Sequence, residues 1–319
     1  MVWLFASVDL RALGGQLALT DWRLAAVSAA VNLASLWTRA WRWRWLFPPG
    51  VHPPGLVPAV MIGYMANNVL PLRAGEVVRV YVVSRRWSAA GAGERFWLVL
   101  ATLVVERVLD SLTVVAILAT LVLLISVPPA LEWAAAVVLV IDAVAVAVLV
   151  ATAARPGTTR SLARRLTRRW PRLERLATHV VDTSLRGLDG IRAPAHWPPL
   201  ALWTAAAWVL PAAAAWLMLR AARVDVPFLA AWAVLAAVGL GVSIPSAPGY
   251  VGVWHAAAVL ALGIFGVPPA AALGFALLLH ASHYVPVTLV GWGYLVREHV
   301  SLGEAAHARR PATLDADVG

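Results

Sequence analysis

Apolar residues run along this chain in blocks, not in alternation, and the length of the blocks sorts them into two kinds. Residues 22–47, 97–125, 134–154, 200–219 and 270–296 are runs of the length that a bilayer-crossing helix needs, about 20 residues. Two further pairs, 56–66 with 77–83 and 226–244 with 250–265, are each split by a cluster of helix-breaking residues. Residues 2–19 are apolar but interrupted by Asp9, Arg11, Gly14 and Gly15, which suits a shortened first span or an interfacial helix. The pattern predicts an all-α polytopic membrane protein of about six or seven transmembrane helices plus two helical hairpins. Residues 1–300 read as one integral membrane domain, and residues 301–319 as a disordered tail.

The first split runs from Asn67 to Arg79 and holds Asn67, Asn68, Pro71, Arg73, Gly75, Glu76 and Arg79. Pro71 cannot donate a backbone hydrogen bond and Gly75 tolerates unusual dihedrals, so the helix is expected to break there. A break at membrane depth survives only where it faces protein or a wet cavity. Each charge at such depth costs roughly 2.5–3.5 kcal/mol, which makes the stretch a functional candidate. The second split holds Pro245, Pro248, Gly249 and Gly252, backbone devices that open amides and carbonyls and permit close approach. Arginines on both flanks of residues 56–84 suggest a hairpin that enters and leaves on the cytoplasmic side. Span counting makes residues 226–265 a hairpin entering from outside. Two oppositely oriented re-entrant hairpins are the arrangement of an inverted repeat with a substrate site between half-helices. No repeat is visible in the residues themselves.

Composition sharpens the class. The chain is 61% hydrophobic with mean hydropathy +0.77, above the range of soluble domains. It has no cysteine, which excludes disulfide, thiolate and zinc–cysteine chemistry. Every one of its 26 basic residues is arginine, set against 16 acids for a net charge of +10. Such a balance suits nucleic acid in a soluble protein; here it fits a cytoplasmic face held against anionic lipid, and no nucleic-acid motif is present. Ten arginines fall in residues 155–192, with Leu162, Leu166, Leu173 and Leu176 spaced as on amphipathic helices, so this segment and the C-terminus are expected in the cytoplasm. Trp37, Trp41 and Trp45 are spaced as interfacial anchors, beside Arg39, Arg42 and Arg44, which are expected to snorkel to headgroups. The N-terminus lacks a basic region ahead of an apolar run, so no cleavable signal peptide is expected.

Three stretches resemble the lysylphosphatidylglycerol-synthase transmembrane family, also called flippase-like integral membrane proteins. They are the N-x3-P-x-R-x-G-E-x2-R pattern from Asn67 to Arg79, the Glu106-Arg107-x2-Asp110 element inside a span, and Pro245-Ser-Ala-Pro-Gly249-Tyr-Val-Gly252. Their order and spacing cover about residues 20 to 297. The resemblance implies a lipid-translocating membrane domain of a bacterial inner membrane. Some relatives append a cytosolic aminoacyl transferase that this sequence does not show, so lipid aminoacylation is not carried over. In many relatives an acid stands at the position of His255 and an arginine at that of His280; both are changed together here, which suggests a coupled pair.

Several constellations could carry chemistry. Arg73, Glu76 and Arg79 fall along one side of a helix, where the arginines could hold a phosphate diester at a half-helix N-terminus and Glu76 could orient them. The rival is an internal salt-bridge network that pins the break. Asn67 and Asn68 suit caps better than ligand contacts. Glu106 and Asp110 share a helix face beside Arg107 and call for an arginine from elsewhere, Arg73 or Arg79 being the nearest candidates, as a brace or a gating relay. Asp142 stands by itself in its span. His255, His280, His283 and Tyr284, with Tyr250, form a second polar set that reads as a headgroup contact, a proton-coupled switch or packing histidines. No carboxylate or cysteine accompanies them in sequence, so no metal and no cofactor is expected. The leading expectation is a flippase or scramblase for an anionic lipid, with membrane lipids as partners, at the cell membrane, homo-oligomers remaining open. An intramembrane lipid transferase or phosphatase, and a small-solute or ion transporter, are the alternatives.

Overall fold

The computed structural model describes residues 14–15, 17–70, 74–87, 92–125, 129–243 and 247–299. Pro71, Arg73 and Pro245, most of the first apolar segment, the C-terminal tail and the side chain of Asp142 lie outside the described residues. Among those described, the secondary structure is helical and no strand occurs. The first long helix, α1 (Trp22–Arg44), is capped by Asp21, whose carboxylate accepts from Arg23 N and Leu24 N. Next come α2 (Leu56–Val69) and α3 (Gly75–Arg86), then α4 (Ala92–Leu124) and α5 (Pro129–Ala154). The amphipathic helices α6 (Pro156–Thr167) and α7 (Pro171–Gly187) follow, joined to each other by Arg160 and Asp182. After a four-residue helix at Asp189–Arg192 and a 3-10 turn at Pro194–His196, α8 (Trp197–Ala221) runs with Pro211 inside it. The chain ends with α9 (Leu229–Ser243), α10 (Val253–Gly263) and α11 (Pro269–Arg297).

Among the described residues, three helices have the length and apolar character to cross a membrane: 95–124 within α4, 194–221, which is α8 with the turn before it, and α11. A fourth would be α5 with α6, which meet at 99°. Helix α1, at 23 residues, has the length but carries Arg23, Arg39, Arg42 and Arg44. Much of the remaining apolar sequence is in half-length pieces. Helices α2 and α3 have 14 and 12 residues, so at 1.5 Å per residue each spans only ~20 Å, short of a ~30 Å hydrocarbon core.

Each half-length pair folds back as an antiparallel hairpin. In the first, Gly55 lies beside Arg86, Gly63 beside Arg79 and Gly75, and Asn67 beside Gly75. The helices approach so closely that a Cβ on Gly63 would strike the Gly75 carbonyl and the Arg79 stem, and one on Gly75 would strike the Gly63 carbonyl. In the second, Gly241 packs on Val253 and Ala257.

The apolar core is divided in two. One half gathers Leu36, Ala40 and Trp43 of α1, the first hairpin, and Val99, Leu103 and Val105 of α4. The other gathers Val114, Leu118 and Leu121 of α4 with α8 and the second hairpin. Helix α11 likewise gives Phe275, Ala276 and Leu279 to one half, and Val287 and Leu295 to the other. Where α4 passes from one half to the other it carries Glu106, Arg107 and Asp110; where α11 does, it carries His280, His283 and Tyr284.

The close glycine contact is testable. Gly63→Ala should overpack the first hairpin and cost about 1–3 kcal/mol. It should lower the thermal midpoint of the purified protein, whereas Gly293→Ala, which meets nothing within 4 Å, should not.

Candidate functional site

The residues that mark the boundary between the two apolar halves form a buried ion network. Helical spacing puts Glu106 and Asp110 one turn apart on the same face of α4. Glu106 is held by Arg79 in a two-pronged pair, Nη1 to Oε1 at 3.1 Å and Nη2 to Oε2 at 2.9 Å. Arg42 Nη1 donates to Asp110 Oδ1 at 2.6 Å, and its Nη2 lies 3.4 Å from Glu106 Oε1, so this guanidinium bridges the two carboxylates. Arg39 Nη1 reaches Asp110 Oδ2 at 3.2 Å. Arg107 donates to Glu106 Oε1 at 2.7 Å and lies 3.7 Å from Glu76 Oε1, while Glu76 Oε2 is 3.5 Å from Arg79. Four guanidiniums thus meet three carboxylates, an excess of one positive charge among the described residues.

Two expectations change here. Arg42 does not snorkel to headgroups: it is 0% exposed, because α4 presents carboxylates at the depth its side chain reaches. Arg79 was expected to face a ligand. Its guanidinium is closed in between Glu106 and the Trp43 ring, 4.3 Å from the ring centroid, and its side chain is 1% exposed. The arginines that complete the Glu106 and Asp110 pairs are Arg79, as one of the named candidates, and Arg39 and Arg42, which sequence reading assigned to the interface. The available signal was their spacing: Arg39 and Arg42 are three apart, matching the carboxylates four apart on α4.

Beside this network lies a cavity of about 390 Å3. Its charged wall is Arg39, Glu76, Arg107 and Asp110, to which Asn32, Ser35, Tyr64, Asn67 and Asn68 add polar groups. The opposite wall comes from the second hairpin and its neighbours: Trp208, Leu235, Val242, Tyr250, Trp254 and His283. Arg107 is the most open of the cationic groups here, with its side chain 35% exposed against 13% for Arg39. Arg79, Glu106, His255 and His280 stand behind the lining.

The two helix breaks meet at this cavity. Asn67 Oδ1 accepts from Gly75 N at 2.9 Å, tying the ends of α2 and α3 together across the break. Asn68 Nδ2 donates to Thr288 Oγ1 at 2.9 Å on α11. The Pro248–Tyr250 turn packs under the same α11 segment: an added Cβ on Gly249 would stand 2.6 Å from Tyr284 Cε2 and 3.3 Å from the Asn68 carbonyl. Gly249, at φ 66°, therefore has both a dihedral and a contact that demand glycine. Gly252, at φ 97°, donates its N–H to His255 Nδ1 at 3.3 Å. His280 Nδ1 lies 3.1 Å from His255 Nε2, and Trp254 stacks on both His280 and His283. Among the described residues no group of three or more histidines and carboxylates has the geometry to hold a metal ion.

Removing one member of the network strands its partners. Glu106→Ala should destabilise the fold by about 3–5 kcal/mol, because Arg79 loses its two-pronged partner and Arg42 one of its two carboxylates while both stay buried. Thermal unfolding in detergent checks this, and Arg160→Ala, at an exposed pair, should change the midpoint little.

The family model described as the lysylphosphatidylglycerol synthase TM region matches residues 1–291. No curated protein and no solved structure matches the chain.

Proposed function

The chain belongs to the family of the lysylphosphatidylglycerol synthase TM region, and from that premise we propose that it is a membrane transporter that carries an anionic lipid headgroup between leaflets. One observation carries the reading: the ion network that forms and backs the charged wall of the cavity holds four guanidiniums, Arg39, Arg42, Arg79 and Arg107, against three carboxylates, Glu76, Glu106 and Asp110. A charge left over in low dielectric attracts a counterion strongly, and a lipid phosphate diester supplies one negative charge with oxygens suited to a guanidinium. The exposed part of Arg107, supported by Arg39, is the contact point. Arg79 and Arg42 act one step back, fixing Glu106 and Asp110 so that Arg107 is held in place.

In this reading the hairpins 56–84 and 226–265 are re-entrant from opposite leaflets, their tips forming the polar groove while the acyl tails remain in lipid. The arginine-rich helices α6 and α7 lie on the cytoplasmic leaflet of the cell membrane, with exposed Leu162, Leu166 and Leu173 turned into it. Glu76 and Asp110 at the cavity wall keep the headgroup from binding too tightly to leave, a requirement of any carrier.

The test is translocation of a fluorescent anionic phospholipid in proteoliposomes. Arg107→Gln should slow translocation about 10-fold or more, the loss of a charge-assisted hydrogen bond of ~1.5–3 kcal/mol, with the thermal midpoint kept within a few degrees. Unchanged translocation by a well-folded Arg107→Gln protein, or equal rates for anionic and cationic lipids, would overturn the proposal.

A further inference from the structure

The hydrogen bonds around the second break allow only one arrangement of protons. A backbone amide is a fixed donor, so the Gly252 N–H makes His255 Nδ1 an acceptor. A neutral His255 then carries its proton on Nε2, which donates to His280 Nδ1 at 3.1 Å. A neutral His280 in turn carries its proton on Nε2. Two neutral imidazoles thereby connect the Gly252 amide to α11 and hold the turn against that helix. The turn itself is strained: Gly249, Tyr250 and Gly252 all have positive φ, at 66°, 57° and 97°, and Tyr250 pays a steric penalty for it that glycine does not.

A further proton has no vacant lone pair in this relay. Bound at His255 Nδ1, it faces the Gly252 N–H. Bound at His280 Nδ1, it faces the His255 Nε2–H, and shifting His255 to its other tautomer only moves the conflict to Gly252. Every placement sets two N–H groups against each other and breaks one link of the closure. We infer that the His255–His280 pair is a proton-binding site, and that uptake of one proton there releases the Pro248–Gly252 turn from its place against α11. The consequence reaches the cavity, because Tyr250 and Trp254 of this segment form part of its wall and Trp254 is stacked on His280. The turn also touches Asn68 of the first break, so its release loosens the meeting of the two hairpin tips.

His283, on the next turn of α11, is the other imidazole beside the pair among the described residues, and Trp254 stacks on it as well. Among the described residues, α11 offers His283 and Tyr284 beside the pair, and the turn offers Tyr250. Helix α2 reaches the turn with uncharged Asn68, and the charge acting on His283 is that of Arg39 of α1. No carboxylate bears on the pair.

The inference does not depend on the cargo being a lipid, and its test uses none. Hydrogen exchange of the segment from Pro248 to Ala256, read by mass spectrometry on the purified chain, is compared at about pH 8 and about pH 4, with labelling times scaled for the intrinsic rate. Protection should fall at least ~10-fold at the lower pH in the native sequence and stay constant in the double variant His255→Gln/His280→Gln, neither of whose amides titrates. Equal protection at both values in the native protein, or the same fall in the double variant, overturns the inference. Nitrogen-15 spectra of histidine-labelled native protein give a second reading that needs no variant. Both His255 and His280 should carry their proton on Nε2 at about pH 8, and a proton on Nδ1 of either refutes the relay.

Discussion

The pair of carboxylates on α4, Glu106 and Asp110, constrains the rest of the structure. Each buried ion costs several kcal/mol to remove from water, and the cost is offset only if partners arrive with good geometry. Four guanidiniums from three elements do so: Arg39 and Arg42 from α1, Arg79 from α3, and Arg107 from α4 itself. An apolar surface can slide on its neighbour at modest cost, whereas this network fixes register. It sets where α1 lies along α4, and it locks the first hairpin to both. Trp43 seals the arrangement, covering Arg79 with its ring and donating Nε1 to Thr102 Oγ1 at 3.0 Å.

With that register fixed, the division of the apolar core becomes intelligible. Polar residues cannot be spread through a close-packed interior, so they collect where two apolar bodies abut. Helices α4 and α11 each run through both bodies and carry their charged or imidazole residues at the crossing. Each hairpin belongs to one body, and their breaks, Asn67–Gly75 and Pro248–Gly252, come together at the same level. A broken helix exposes amides and carbonyls that need partners. Here Asn67 accepts from the Gly75 amide, Tyr284 donates to the Asn68 carbonyl and His255 accepts from the Gly252 amide, so each break is completed by side chains that stand in or beside the cavity wall.

Much of the helical plan was legible in the sequence. Block lengths separated full-length helices from half-length ones, and Pro–Gly clusters located both turns. The all-helical class and the family resemblance follow from these patterns and are shown by the fold and the family match. What the residues concealed was depth. Arg42, two residues from the end of α1 and next to Trp41 and Trp43, has the local sequence of an interfacial anchor, and nothing within its own helix distinguishes a snorkelling arginine from a buried one. The difference lies in α4, more than sixty residues on. The same limit applied to Arg79, whose motif suggests ligand contact until Trp43 and Glu106 are seen to enclose it. Pro211 lies inside α8, which continues past it, because packing can hold a proline-containing helix together where propensity alone would end it. The glycine pair Gly63 and Gly75 is a further case: each was readable as a flexible position, while their use as one contact between antiparallel helices required the hairpin to be closed.

The charge balance of the network bears on how such a site could turn over. Six matched charges would form a rigid brace with no pull on an anion, and several unmatched arginines would hold a phosphate too strongly to let it go. One guanidinium in excess lies between these limits, and Arg107 is the most open cation of the network, with Glu76 beside it also partly exposed. Glu76 faces the same cavity from α3 and is within 3.7 Å of Arg107, so it competes for that guanidinium whenever the cavity is empty. Exchange of Arg107 between Glu76 and an incoming anion would change the attachment of α3 to α4, since Glu76 also lies 3.5 Å from Arg79. In the proposed transport reading, the hairpin carrying the first break would be coupled to occupancy of the cavity through Glu76, the carboxylate that shares Arg107 and Arg79.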